Sequence, residues 1–178
     1  MTSLAQAKQS AAVEPQWLEQ VTPEFLLTKE AIVSYLHWLC HLLDDFEIGA
    51  FVEEFTDDGH YRLIPRENYV LNSPVCIIDD TKKRLRYRRD LILKHWHYEK
   101  FRENRALGNV LVRLTEHNAA ETRATFVIYH TDEEGRTSLH LTGALQDKLV
   151  KQGGRWRIQD RLAILDTFMP QHAIVVPP

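Results

Sequence analysis

Cysteine, methionine, glycine and proline are all scarce in this chain: two, two, seven and seven among 178 residues. The two cysteines, Cys40 and Cys76, lie far apart and are too few for the disulfide framework of a small secreted domain. Long apolar runs are absent as well. With no stretch of about 18 uncharged apolar residues, no segment reads as a transmembrane helix. Residues 1–20 lack a basic flank followed by an apolar run, so they do not read as a signal peptide. The expected location is a reducing cytoplasm. Net charge is also small, with 22 basic against 25 acidic residues and a formal −3. That balance speaks against a nucleic-acid or membrane partner. The one local excess, Lys82 to Arg89, is flanked by Asp79, Asp80 and Asp90. At 44% hydrophobic and 26% charged, the composition is that of one ordinary globular domain. A core of this size buries roughly 70% of the unfolded surface and needs no staple.

The familiar chemistries are missing too. A Rieske cluster needs closely spaced Cys and His pairs. Here Cys40 precedes His41 directly, and Cys76 is followed by Ile77, Ile78 and Asp79. Mononuclear iron needs two histidines and a carboxylate with open positions, and no Asp-x-x-His-x-x-x-x-His run occurs. Neither a Gly-rich phosphate loop, a Gly-x-Ser-x-Gly elbow nor a Cys-x-x-Cys pair is present. Electron transfer by this chain alone is not expected.

What is present is a run of helical patterns followed by strands. Residues 1–22, rich in Ala, Gln and Ser, are expected to form a poorly ordered arm, which Trp17 and Leu18 can pin to a neighbour, ahead of one domain over 23–178. The first helix is expected to start at a Thr28 cap, with Ile32, Val33, Leu36, Leu39, Cys40 and Leu43 as its buried stripe. A shorter helix over 48–55 turns Phe51, Val52 and Phe55 inward and stops at an Asp57-Asp58-Gly59 turn. Tyr61 to Pro65 reads as a short strand, 66–78 as irregular, and Thr81 to Glu99 as a third helix with Leu85, Ile92 and Trp96 on one stripe and Tyr87, Leu91 and Tyr98 opposite. Strands follow over 110–114 and 124–130. After an Asp132 to Gly135 turn comes an alternating segment, 138–150, with Leu139, Leu141, Leu145 and Leu149 on one face. Gly153-Gly154 signals a hairpin, beyond which Trp156, Ile158 and Leu162 continue the alternation. Helices first and then an antiparallel meander give an α+β class; a curved, mainly antiparallel sheet that curls around N-terminal helices is expected to form a cone, which matches the cystatin-like, NTF2-like architecture.

Individual residues carry competing readings. His37 and His41 have the i, i+4 spacing of zinc ligands, but no third ligand is signalled, and both fall on the helix flank. His95 and His97 bracket Trp96 and point apart, as helix-surface residues do. No metal site is expected. Trp38 lies roughly 150° from the buried stripe, with Tyr35 on a flank of the same helix; such aromatics concentrate at interface centres. Arg84 and Arg86 read as a solvated helix face or as salt-bridging contacts between subunits. Asp147 falls on the inner face of its strand, where a carboxylate must be paired or protonated. Arg161 is its expected partner, in a structural ion pair. The alternative gives Asp147 the role of pocket base, with His60 or Tyr61, in a stand-alone isomerase or dehydratase.

Several segments, in order, resemble the β (small) subunits of aromatic-ring-hydroxylating dioxygenases. Leu43-Asp44-Asp45-Phe46-Glu47 leading to Phe55-Thr56-Asp57-Asp58-Gly59-His60-Tyr61 is similar to that family's acidic helix end followed by F-T-D-D-x-x-Y. Ile64 to Asn68 resembles its P-R-E-N segment, and Tyr98 to Val110 the stretch in which basic residues precede N-V. Gly143 to Asp147, Trp156-Arg157-Ile158, Arg161 and Leu165-Asp166 resemble its closing pattern. The likeness runs from Thr28 onward. It departs at Lys100 to Arg105, where many members carry a proline and a Ser-Arg pair. The resemblance implies an NTF2-like, SnoaL-like subunit of an α3β3 oxygenase, built on β–β trimer contacts. A separate α subunit would carry a Rieske [2Fe-2S] cluster and mononuclear Fe(II), supplied by NAD(P)H through a reductase. This chain would hold no cofactor and no catalytic residue. Tyr35, Trp38, Arg84, Arg86, Arg102 and Arg105 are its candidate contacts.

Overall fold

The computed structural model describes residue 17 and residues 21–116, 118–168, 170 and 173–178. The arm expected over 1–22 lies outside the described residues except at Trp17, Val21 and Thr22; Leu18 lies outside them too. Helix α1 spans Pro23–Asp44, beginning five positions before the expected cap. Thr22, not Thr28, is the N-cap: its hydroxyl accepts the Phe25 N–H at 3.1 Å, and Pro23 occupies the first turn, where its missing donor costs nothing. Ile32, Leu36, Leu39 and Leu43 form its buried stripe.

Helix α2, Ile48–Glu53, buries Ile48, Phe51 and Val52 and passes directly into strand β1, Phe55–Pro65. The Asp57-Asp58-Gly59 turn is therefore corrected to strand. Gly59 is not at positive φ; it stands where the register shifts between Phe55 and His60. A Cβ there would lie 2.7 Å from the Thr56 carbonyl oxygen and 2.8 Å from Phe55 Cβ, so a bulge requires the glycine. The segment expected to be irregular contains helix α3, Arg66–Val70, and the start of strand β2, Ile78–Thr81. Helix α4 runs only over Lys82–Lys94. The Trp96 N–H turns back to the Leu91 carbonyl at 2.9 Å and closes it, leaving Trp96 and Tyr98 beyond the helix and exposed.

Strands β3 (Arg102–Glu116), β4 (Ala119–Thr131), β5 (Thr137–Gln152) and β6 (Arg155–Leu165) complete a six-stranded sheet ordered β2-β1-β6-β5-β4-β3. Among the described strands only the β1–β6 pairing is parallel. Gly135, Gly153 and Gly154 adopt positive φ in the hairpin turns.

Two bulges redirect side chains. Between β4 and β5, Ile128 pairs with Leu141 and Tyr129 with Leu139, so His140 is the extra residue. It points inward, and Leu139, expected on the inner face, is turned out and exposed. Between β5 and β6, Lys148 pairs with Asp160 and Leu149 with Ile158, which makes Gln159 the extra residue. Arg161 thereby shares the inner face with Ile158, and Leu162, expected there, moves to the other side. The core lies between α1, α2 and the concave face of the curved sheet.

Candidate subunit interface

The interior of the cone holds an ion pair sealed by aromatic rings. Arg161 Nε donates to Asp147 Oδ1 at 2.7 Å and Nη2 to Oδ2 at 3.1 Å, while the Thr122 hydroxyl donates to Oδ2 at 3.3 Å. The guanidinium lies 5.7 Å over the Phe51 ring, which meets Phe55 edge-on, and Phe55 meets Tyr61 in the same way. Tyr61 is fully buried, and its hydroxyl donates to the Pro178 carbonyl at 3.1 Å. Burial holds that phenol far above its ordinary ionisation. His60, its neighbour in β1, faces the other side of the sheet, with Nε2 2.6 Å from Asp79 Oδ1. The three residues of the acid–base alternative do not converge. Asp147 is fully engaged, Tyr61 gives its proton to a carbonyl, and His60 is across the sheet.

The outer surface is built differently. Trp38 is 38% exposed on α1, its ring 6.0 Å from that of Tyr35. The Tyr35 hydroxyl donates to Glu54 Oε2 at 3.2 Å, and Arg157 Nη1 donates to Glu54 Oε1 at 2.6 Å. Burial, reinforced by the Glu54 charge, pushes the Tyr35 phenol upward. Next in the chain, Glu53 accepts both Nε and Nη2 of Arg86, at 2.8 and 2.6 Å. Hydrogen bonding from Arg86 lowers the Glu53 carboxyl to about 2. Contacts therefore link Trp38 and the partly buried Tyr35, through buried Glu54 and its chain neighbour Glu53, to Arg157 and Arg86. Glu53 and Glu54 escaped the sequence reading, and Arg157 entered it only within the Trp156-Arg157-Ile158 pattern. The acidic pair ending α2 was the available signal, but its partners lie 33 and 103 positions away.

The basic run is largely neutralised. Arg84 and Arg88 converge on buried Asp80 at 3.0 and 2.7 Å, Arg89 pairs with Asp90 at 2.9 Å, and buried Lys82 donates to the Phe55 carbonyl at 2.7 Å. Arg102 is exposed at the start of β3. Arg105 is a correction. Its side chain is only 2% exposed, bonded to Asp44 Oδ1 at 2.7 Å and Glu103 Oε2 at 2.6 Å, and so is turned away from any neighbouring chain. Strand β3 begins eight residues before the expected Val110, and its inward alternation carries Glu103 and Arg105 into the core.

Beside this ionic cluster an open groove of about 1280 Å³ runs between the end of α1, residues 98–104 and the β4–β5 hairpin. Phe46, Tyr98 and Phe101 line it, with ring centroids 5.7 to 6.4 Å apart. His37, His41, His95 and His97 are exposed. Among the described residues no group of three or more His, Cys, Asp or Glu side chains is placed to hold a metal ion. None of the described helices is long and apolar enough to cross a membrane.

Comparison with known proteins agrees with this geometry. The model of the SnoaL-like domain family matches residues 24–162. The small subunit of anthranilate 1,2-dioxygenase from Burkholderia cepacia is 24% identical over 161 residues, which cover 90% of this chain and 99% of that protein. The fold is shared with the beta subunit of a provisionally assigned aromatic-ring-hydroxylating dioxygenase from Novosphingobium aromaticivorans, at a TM-score of 0.77 and 23% identity, covering 87% of this chain and 99% of that one. It is shared as well with naphthalene 1,2-dioxygenase with indole bound, at a TM-score of 0.72 and 20% identity, covering 93% and 99%.

Proposed function

The chain belongs to the SnoaL-like domain family, and from that premise we propose that it is the non-catalytic β subunit of an aromatic-ring-hydroxylating dioxygenase. Its role is to hold the large oxygenase subunits in place for dihydroxylation of an aromatic substrate. One observation carries this reading: the position where such a cone would house acid–base chemistry is taken by a bonded ion pair and packed rings, while Trp38, backed by the partly buried Tyr35, is exposed outside. The near-complete coverage of the anthranilate dioxygenase small subunit supports the same reading.

On this proposal the Rieske [2Fe-2S] cluster and the mononuclear Fe(II) reside on the α subunit, and electrons arrive from NAD(P)H through a reductase. This chain's own residues do not fit either group. Cys40 and Cys76 lack the paired ligands, and no ligand cluster forms among the described residues. The assembly is an α3β3 hexamer with β–β contacts, to which Tyr35, Trp38, Arg84, Arg86 and Arg102 contribute, and it works without a membrane or nucleic acid, in the cytoplasm.

The test is reconstitution. The large subunit is purified with and without this chain, and size, iron content and ring hydroxylation are measured. The reading requires that the hexamer, and with it most of the turnover, be lost when this chain is omitted. Full turnover by the large subunit alone removes it.

A further inference from the structure

On the face of the sheet turned away from the core, one row of residues crosses β4, β5, β6 and β1. The pairing registers set Arg123 opposite Gln146, Gln146 opposite Leu162, and Leu162 opposite Arg62. A neighbouring row holds Arg113, Glu121, Lys148 and Asp160, each opposite the next. These two rows line an open concavity of about 400 Å³, to which Trp17 and Tyr69 also contribute. The Trp17 ring covers the Arg113 guanidinium, with 5.5 Å from its carbon to the ring centroid. The Tyr69 hydroxyl accepts from Gln146 Nε2 at 3.4 Å.

Charge is unbalanced here. Arg62 is paired with Asp160 at 2.8 Å, and Arg113 with Glu121. Among the described residues Arg123 and Lys148 have no carboxylate partner, although every other arginine except exposed Arg102 has one. Arg123 differs from Arg102 in being partly buried, between buried Thr122 and Ala124 on the middle of a strand. Lys148 lies diagonally across from it, two positions beyond Gln146, and like charges so placed repel.

We propose that this concavity binds a small aromatic carboxylate, with the carboxylate on Arg123 and the ring over Leu162 toward Tyr69. The planar guanidinium fork matches both oxygens of a carboxylate. Lys148 adds attraction for one negative charge, while Glu121 and Asp160 in the adjoining row oppose a second, which disfavours phosphate. Leu162, Tyr69 and Trp17 supply apolar surface that a bare inorganic anion leaves uncovered. Arg123 and Leu162 stand across the sheet from the Asp147–Arg161 pair, so the site is separate from the interior of the cone.

The proposal involves this chain alone, and its failure leaves the oxygenase-subunit reading standing. The experiment titrates the full chain with benzoate and follows the arginine Nε–H signals by NMR. Saturable binding is expected to move the Arg123 signal and leave that of Arg102 in place. Arg123→Gln, a change on the outer face of the sheet, is expected to weaken benzoate by at least about tenfold. Inorganic phosphate lacks the ring and benzamide lacks the charge, so each is expected to bind at least about tenfold more weakly than benzoate. Should Arg123→Gln fail to fold, the two arginine signals and the three probes decide on the unaltered chain. Absence of saturation, equal movement of Arg102 and Arg123, phosphate or benzamide as tight as benzoate, or full affinity in a folded Arg123→Gln overturns the site.

Discussion

Arg161 and Asp147 face each other across β6 and β5 as a two-point pair, with the carboxylate 1% and the guanidinium 3% exposed. Desolvating both charges is costly, and their attraction with the Thr122 hydrogen bond offsets that cost only while both are present. Asp147→Ala strands the guanidinium in the core, and the expected loss is about 3–5 kcal/mol. Replacing both partners by Leu and Met should be far milder. Urea unfolding of the three proteins checks this; an Asp147→Ala variant as stable as the parent would mean the pair is not what holds β5 to β6.

Trp38 makes the opposite prediction. Its exposure on α1 means that truncation opens no cavity in the folded chain. Trp38→Ala should shift unfolding by less than about 1 kcal/mol. At a subunit contact the same change costs about 2 kcal/mol or more, roughly a 30-fold loss of affinity. Sedimentation with the large subunit separates the two effects. Unaltered assembly would remove this surface from the interface.

Both residues were readable from the chain because each depends on a local period. The α1 stripe follows from helical spacing, and Trp38 is conspicuous by falling off it. Asp147 falls inward by strand alternation. Alternation survives only until a bulge, and the extra residues His140 and Gln159 reverse it. Leu139 was therefore expected inside, and the inward turn of Arg161 does not follow from counting from Ile158. Gly59 was read as a turn because a glycine after two aspartates has that chemistry; the close backbone approach that demands it is tertiary. The same holds for Arg105, whose partner Asp44 is 61 residues away, and for the 173–178 segment, which has no periodicity to reveal its burial.

Ionisation should shape both ends of the stability profile. Burial pushes the Cys40 thiol from 9.0 to about 11, so the neutral form is favoured in the folded chain. That contribution is fully present below pH 9 and is lost as pH rises through 11. The buried phenols of Tyr35 and Tyr61 are displaced the same way and extend the loss above pH 10. Glu53 is the reverse case. Held by Arg86 from 4.5 down to about 2, it contributes above pH 4.5 and loses that contribution as pH falls through 2, modestly because the pair is exposed. Cys40→Ala should make the alkaline limb shallower and Glu53→Gln the acid limb, each leaving the other untouched. If unfolding free energies across pH 2 to 11 show neither change, the assignments fail.

Gly143 provides a test of packing with an internal control. It pairs with Leu165 on one side and Phe126 on the other. A Cβ there would collide with the Ile164 carbonyl oxygen and lie 2.8 Å from two carbons of the Phe126 ring. The ring can be trimmed, but the carbonyl belongs to β6 and moves only with its ladder. Gly143→Ala should therefore cost about 1–3 kcal/mol, and adding Phe126→Leu should recover little of it. Gly49, in α2, meets only Arg89 Cδ at 3.6 Å, an ordinary contact, and its φ is not positive. There Gly→Ala restricts the unfolded chain without a clash, so a gain of about 0.4–1 kcal/mol is expected. Thermal melts of the two variants should move in opposite directions; a harmless Gly143→Ala would show that β5 and β6 are not packed this closely.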